Sequence, residues 1–138
     1  MATIKSDKEL KKTFEVFIDE EDIIWGTLLK EIKGLTDNAR QVELIEEIVL
    51  EIFNKNPEKK YKIVLNLLPL GKGKVYTSAE NRKAWARLAF HKQIEKCAVI
   101  GLSIILKTIT NFVIRLSGRN KDIKWFSSKE KAIEWLKK

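Results

Sequence analysis

Residues 61–103 read YKIVLNLLPLGKGKVYTSAENRKAWARLAFHKQIEKCAVIGLS, and this stretch decides the fold. YKIVLNLLPL (61–70) is nearly all apolar, as expected of a strand covered on both faces. KCAVIGL (96–102) is a second such run. Between them a helix is predicted from about Thr77 to Gln93. Trp85, Leu88 and Ala89 mark its buried side, and Glu80, Lys83, Arg87 and His91 fall on the opposite arc. Strand, helix, strand in so short a span implies parallel pairing through a right-handed crossover.

The loop inside this unit invites a nucleotide reading that its spacing rejects. A phosphate loop of the G-x-x-x-x-G-K-[ST] type needs a hydroxyl residue after the lysine, and here Val75 and Tyr76 follow Lys74. No G-x-G-x-x-G is present either. Thr77 and Glu80 have capping-box spacing, and the glycines permit a turn. The plain reading is therefore a capped strand-to-helix connection. The functional reading is an anion held at the helix start with Lys72 and Lys74. A phosphate added to Thr77 or Ser78 would suit the same place, where the helix dipole favours negative charge.

Working outward, TFEVFID (13–19) alternates apolar and polar residues, and IIWGTLLKEI (23–32) follows after the polar turn EED. Strands this close pair as an antiparallel hairpin. Thr36 or Asp37 is placed to cap a helix running to about Asn54, with Val42, Ile45, Val49, Ile52 and Phe53 on its core face. Beyond residue 102, Ser103 caps a helix to about Leu116, IKWFS (123–127) is a short strand, and SKEKAIEWLKK closes the chain as a helix. The expected architecture is one α/β domain over residues 12–138. It has a mixed sheet of four to five strands, an N-terminal antiparallel hairpin followed by parallel strands, and four helices. Residues 1–11 are expected to be a flexible polar terminus.

Composition narrows the class. The chain has 138 residues, long enough to bury a core without disulfides or metals. Its one cysteine, Cys97, excludes an internal disulfide and fits a reducing, cytoplasmic setting. The N-terminus has no apolar signal core, and no window reaches the ~18 apolar residues of a membrane span. The net charge of +8 is unevenly placed. Residues 1–58 hold 8 basic against 14 acidic side chains, and residues 59–138 hold 19 against 5. A basic half attracts anionic partners, or simply keeps the protein soluble.

Several segments of the C-terminal half together resemble a known family. They are IVLN (63–66), TSAENRKAW (77–85), CAVIGLS (97–103), ILKTITNFVIRL (105–116) and KWFSSKEKAIEWLKK (124–138). With the hairpin and first helix included, residues 12–138 resemble the SpoIIAA-like proteins of the STAS group (sulfate transporter and anti-sigma-factor antagonist). The resemblance implies a mixed sheet with helices around it, no active site and no cofactor. In anti-sigma-factor antagonists, a serine opening the helix after the third strand is the regulatory phosphorylation site. Thr77 and Ser78 occupy the corresponding place, which would make the chain a phospho-regulated partner of another protein. For SpoIIAA-like proteins the resemblance also implies binding of an apolar ligand, or association with membranes through mobile helices.

The helix of residues 103–116 can be examined for that last property. With Ile104 at 0° and 100° per residue, Ile105, Leu106, Ile109, Phe112, Val113 and Leu116 fall between about 80° and 200°. This arc is expected to face the core. Ile104 and Ile114 lie on the other arc beside Lys107 and Arg115, an apolar pair flanked by cations that suits an anionic membrane surface. A neighbouring loop or a second copy in a homodimer would cover them equally well. A ligand crevice is expected at the carboxyl ends of the parallel strands, where Gly101, Leu102, Ser103, Thr77 and Ser78 should gather.

Three functional classes follow. A non-enzymatic STAS-like module would bind a protein, an apolar ligand or a membrane surface. An enzyme would need convergent acid, base or nucleophile groups. The chain offers one surface histidine, one cysteine in an apolar run and no metal-ligand cluster, which argues against catalysis. Nucleic-acid binding by the basic half would be nonspecific and salt-sensitive, since no recognition motif is present.

Overall fold

A computed structural model of the chain describes residues 5–73 and 77–138. In chain order the elements are α1 (Asp7–Leu10), β1 (Phe14–Ile18), β2 (Ile23–Leu28), α2 (Leu35–Lys55), β3 (Tyr61–Asn66), α3 (Ala79–Ala89), β4 (Ile94–Ile100), α4 (Ile104–Ser117), β5 (Ile123–Phe126) and α5 (Lys129–Leu136). The strands form one five-stranded sheet in sequential order, β1-β2-β3-β4-β5. β1 and β2 are antiparallel, with Phe14 opposite Leu28. The pairs β2–β3, β3–β4 and β4–β5 are parallel. The expected mixed sheet, hairpin first, is what forms.

Sequential order has a geometric consequence. Successive right-handed crossovers all fall on the same side of the sheet. The helices α2, α3 and α4 accordingly share one face with Ile24, Ile63, Val99 and Ile123. Only α5, which follows the last strand, packs on the other face, against Ile23, Val64, Ala98 and Ile100. Alternate residues of each strand point to opposite sides, so both faces are built from the same short runs.

The N-terminus departs from expectation. From Lys5 onward it is docked rather than loose. The Lys5 amide donates to both carboxylate oxygens of Asp37 at 3.1 and 3.2 Å. Ser6 and Glu9 form a capping box for α1, and Arg40 pairs with Asp7 at 2.8 Å. Leu10 is fully buried, and its burial holds the segment down.

Helix ends shift for identifiable reasons. Gly34, not Thr36 or Asp37, is the N-cap of α2, because Asp37 is turned inward to Lys5. Ser78, not Thr77, caps α3, its Oγ accepting from the Asn81 amide at 3.0 Å. α3 stops at Ala89, short of Gln93, because Arg119 binds the end of the helix and the turn beyond it. The guanidinium donates to the carbonyls of Ala89 and His91 at 3.2 and 3.0 Å and to that of Ile94. Carbonyls left open by a helix terminus need such donors. β2 ends at Leu28 because the amides of Leu29 and Lys30 both turn to the Thr13 carbonyl. β3 ends at Asn66, whose Oδ1 accepts from the Leu68 amide and leads into a 3-10 turn at Leu68–Leu70.

Candidate functional site

The face carrying three helices is incompletely filled. A cavity of about 140 Å³ lies between the sheet and α2, α3 and α4. Its lining is overwhelmingly apolar: Ile24 and Ile63 from the sheet, Ile45 and Val49 from α2, Trp85 and Leu88 from α3, and Ile109 and Val113 from α4. Gly26, in the middle of β2, is part of the floor. A Cβ there would meet nothing nearer than Leu65 Cδ1 at 4.0 Å, so the glycine leaves space unused. An apolar void of about 150 Å³ stays dry and accepts a benzene-sized guest.

Polar side chains gather where the first turns of α2 and α3 meet. Asn38 Oδ1 accepts from the Ser78 amide at 2.9 Å, and its Nδ2 donates to the Ile32 carbonyl. Asn81 Nδ2 donates to the Asn38 carbonyl at 3.1 Å. This fixes the amide orientation of Asn81 and leaves its buried Oδ1 with no donor among the described residues. Arg82 donates to the Thr77 carbonyl and hydroxyl at 2.8 and 3.1 Å. Thr77, Asn81 and Arg82 all line the cavity, so its apolar body has a polar end.

The residues expected to hold an anion are partly placed. Lys72 is exposed; Lys74 lies outside the described residues. Ser78 is 5% exposed with its oxygen engaged in the cap, so a phosphate there requires the first turn of α3 to open. Thr77 is half-buried against Arg82.

The crevice expected around Gly101 is filled. A Cβ on Gly101 would lie 2.7 Å from Trp125 Cη2, so the glycine exists to let the indole pass. Ser103 caps α4 through the Leu106 amide at 3.2 Å and is itself buried. Leu102 is exposed beside it. Of the five residues expected to gather at this crevice, only Thr77 lines the cavity.

The orientation of α4 corrects the wheel argument. Ile114, expected on the surface as a membrane contact, is 6% exposed, and Leu106 and Ser117 are buried with it. Ile105, Phe112 and Leu116, expected in the core, are exposed, Phe112 by 55%. Ile104 is 78% exposed, as expected. The helix packs between α3 and β5, and that position turns in the side carrying Leu106, Thr110, Val113, Ile114 and Ser117. An apolar stripe is left facing out, with Lys107 and Arg115 still exposed alongside it.

Two reactive residue types are accounted for. Cys97 lines the cavity, and burial pushes its thiol up to about 12, so it stays protonated and inert. His91 does not face open water as expected. Its ring is tilted on Phe53 at 4.5 Å, its Nδ1 accepts from the Gln93 amide, and burial lowers its pKa. Among the described residues no group of three or more His, Cys, Asp or Glu side chains is placed to hold a metal. None of their helices is long and apolar enough to cross a membrane.

The cavity and its polar end were not legible beforehand. The one local signal was Gly26 within IIWGTL, since a glycine inside a strand marks open or closely approached backbone. Arg119 gave none.

A five-stranded mixed sheet with three crossover helices on one face and a terminal helix on the other defines an α/β protein of the SpoIIAA-like fold. The structural likeness is direct. An uncharacterized protein from the DUF3478 family with a SpoIIAA-like fold, from Shewanella loihica PV-4, superposes with a TM-score of 0.56 at 13% identity, over 89% of this chain and 91% of that one. Residues 36–138 match the model of DUF7793, a domain of unknown function, and the chain belongs to that family. No curated protein matches the sequence.

Proposed function

We propose that this protein is a non-enzymatic binding module whose ligand is an apolar molecule lodged in the cavity beneath α2, α3 and α4. The observation that carries the reading is the 140 Å³ void with apolar walls. Filling it with side chains would have been simple, and an unfilled core costs stability. The orphaned Asn81 Oδ1 supports a ligand with a hydrogen-bond donor, such as a hydroxyl, at its polar end.

The test is titration of cyclohexanol and cyclohexane, read by calorimetry and by indole emission, since Trp85 is in the wall. Cyclohexanol is expected to bind and to be lost in Gly26→Val, which fills the floor while the fold stays intact. Unchanged cyclohexanol binding in Gly26→Val would place the ligand elsewhere. Absence of binding by any apolar probe would sink the reading.

A second reading has its own support. Ile104, Ile105, Phe112 and Leu116 form an exposed apolar stripe on α4 beside Lys107 and Arg115. Such a helix suits peripheral contact with an anionic membrane surface. Phe112→Ser with Leu116→Ser is expected to abolish sedimentation with vesicles, and retention of binding in that variant would refute it.

A further inference from the structure

The groove between α4 and β5 has a chemistry unlike the cavity. It is a cleft of about 460 Å³ lined by Lys107, Asn111 and Arg115 from α4 and by Asn120 before β5. Lys124 borders it, but its ammonium lies over the Trp135 ring of α5, on the other face of the sheet. Trp125 lies at its base. None of the eight residues lining it is acidic. Lys107, Asn111 and Arg115 stand at i, i+4 and i+8, so one helix face presents all three to the cleft.

Lys107 and Arg115 hold no carboxylate within 4.0 Å among the described residues, unlike Arg40, Lys59, Arg87 and Lys137. Between Lys96 and Lys129 the only acidic residue in the sequence is Asp122, and Arg119 occupies it at 3.3 Å. Like charges brought together without a counterion repel, and an anionic ligand relieves that repulsion. Two carboxamides add neutral donors, and the planar guanidinium of Arg115 is a two-pronged donor suited to phosphate oxygens.

We propose that this cleft binds a phosphomonoester, and that the phosphate belongs to a lipid headgroup. The lipid source follows from position. The exposed Ile104 lies on the same arc of the helix as Lys107 and Arg115, and Phe112 begins the exposed stripe about 60° further round, so a headgroup in the cleft leaves its acyl chains across Ile104 and Phe112. The lipid assignment rests on the surface reading of α4; the phosphate site does not.

The experiment compares phosphatidylcholine vesicles doped with phosphatidic acid against vesicles doped to equal charge with phosphatidylserine. The full chain is used, and glycerol 3-phosphate is titrated by calorimetry in parallel. The wild type is expected to prefer phosphatidic acid by about ten-fold, the order expected of one added charge-assisted contact. Lys107→Gln/Arg115→Gln is expected to lose the preference. Lys55→Gln/Lys92→Gln removes the same charge elsewhere and is expected to keep it. Equal loss in both double variants, or no preference in the wild type, overturns the site. Glycerol 3-phosphate binding as tightly as the vesicles, with no loss in Phe112→Ser/Leu116→Ser, overturns the lipid source. Loss of vesicle binding in that stripe variant with glycerol 3-phosphate binding retained supports both parts.

Discussion

The two faces of the sheet are made from the same strands and are packed differently. The α5 face is thin and tight. Val64, Ala98 and Ile100 from the strands meet Ala132 and Leu136 of α5, and all five are fully buried. Small residues there let an eight-residue helix sit close to the backbone. The opposite face is covered by α2, α3 and α4 and contains far more apolar side chain, yet it encloses a void. More hydrophobic residues do not guarantee closer packing. Three helices anchored to one another and to loops cannot each settle onto the sheet as a single short helix can. α2 and α3 are tied by Asn38 to Ser78 and Asn81, α2 and β4 by Gln93, and α3 and β4 by Arg119.

That contrast can be broken first on the tight side. Leu136→Ala removes a fully buried side chain with close neighbours all round, and should cost about 4 kcal/mol in urea unfolding. Gly101→Ala forces a Cβ against Trp125, where the backbone and indole must part, and should cost about 3 kcal/mol by the same measurement. Leu106→Ala works on the void side. Leu106 already borders empty space, so fewer contacts are lost and the expected cost is about 2 kcal/mol. Equal costs for Leu136→Ala and Leu106→Ala would mean that the faces are equally packed.

The smallest effect is one of pH. Burial works to raise the Asp19 pKa, but the amides of Ile23 and Glu21 and the Trp25 indole at 2.7 Å outweigh it and hold the carboxyl below its ordinary range. A carboxyl depressed in the folded state stabilises above its unfolded pKa. That contribution is lost as pH falls from the ordinary carboxylate value through the folded one. Asp19→Asn should therefore flatten the acid limb of stability against pH slightly, in thermal unfolding followed from pH 5 downward. An unchanged limb would show that the Trp25 end of the α5 face does not depend on this charge.

Much of the fold is legible in the chain. Period-two runs gave β1, continuous apolar runs gave β3 and β4, and the spacing of Val42, Ile45, Val49 and Phe53 gave α2 with its core face. The Ser103 cap was also readable, because a cap is a contact between residues three apart. The candidate site was much less so. The cavity, the unmatched Asn81 oxygen and the α4–β5 cleft each join residues from separate elements. Lys107 and Arg115 are legible as cations flanking an apolar pair, but Asn120 and Trp125 join them only through the pairing of β5 beside β4.

The sequence by itself determined the order and kind of the elements and the direction of strand pairing, because those depend on periodicity within short segments and on chain connectivity. Only the tertiary structure decided which way α4 turns. Its apolar residues span an arc wider than the core accepts. Ile114 and Phe112 were therefore equally eligible for burial until α3 and β5 fixed the helix from outside, placing Ile114 inside and Phe112 at the surface. A helical wheel ranks positions around one axis, and it takes a second body to say where the interior lies.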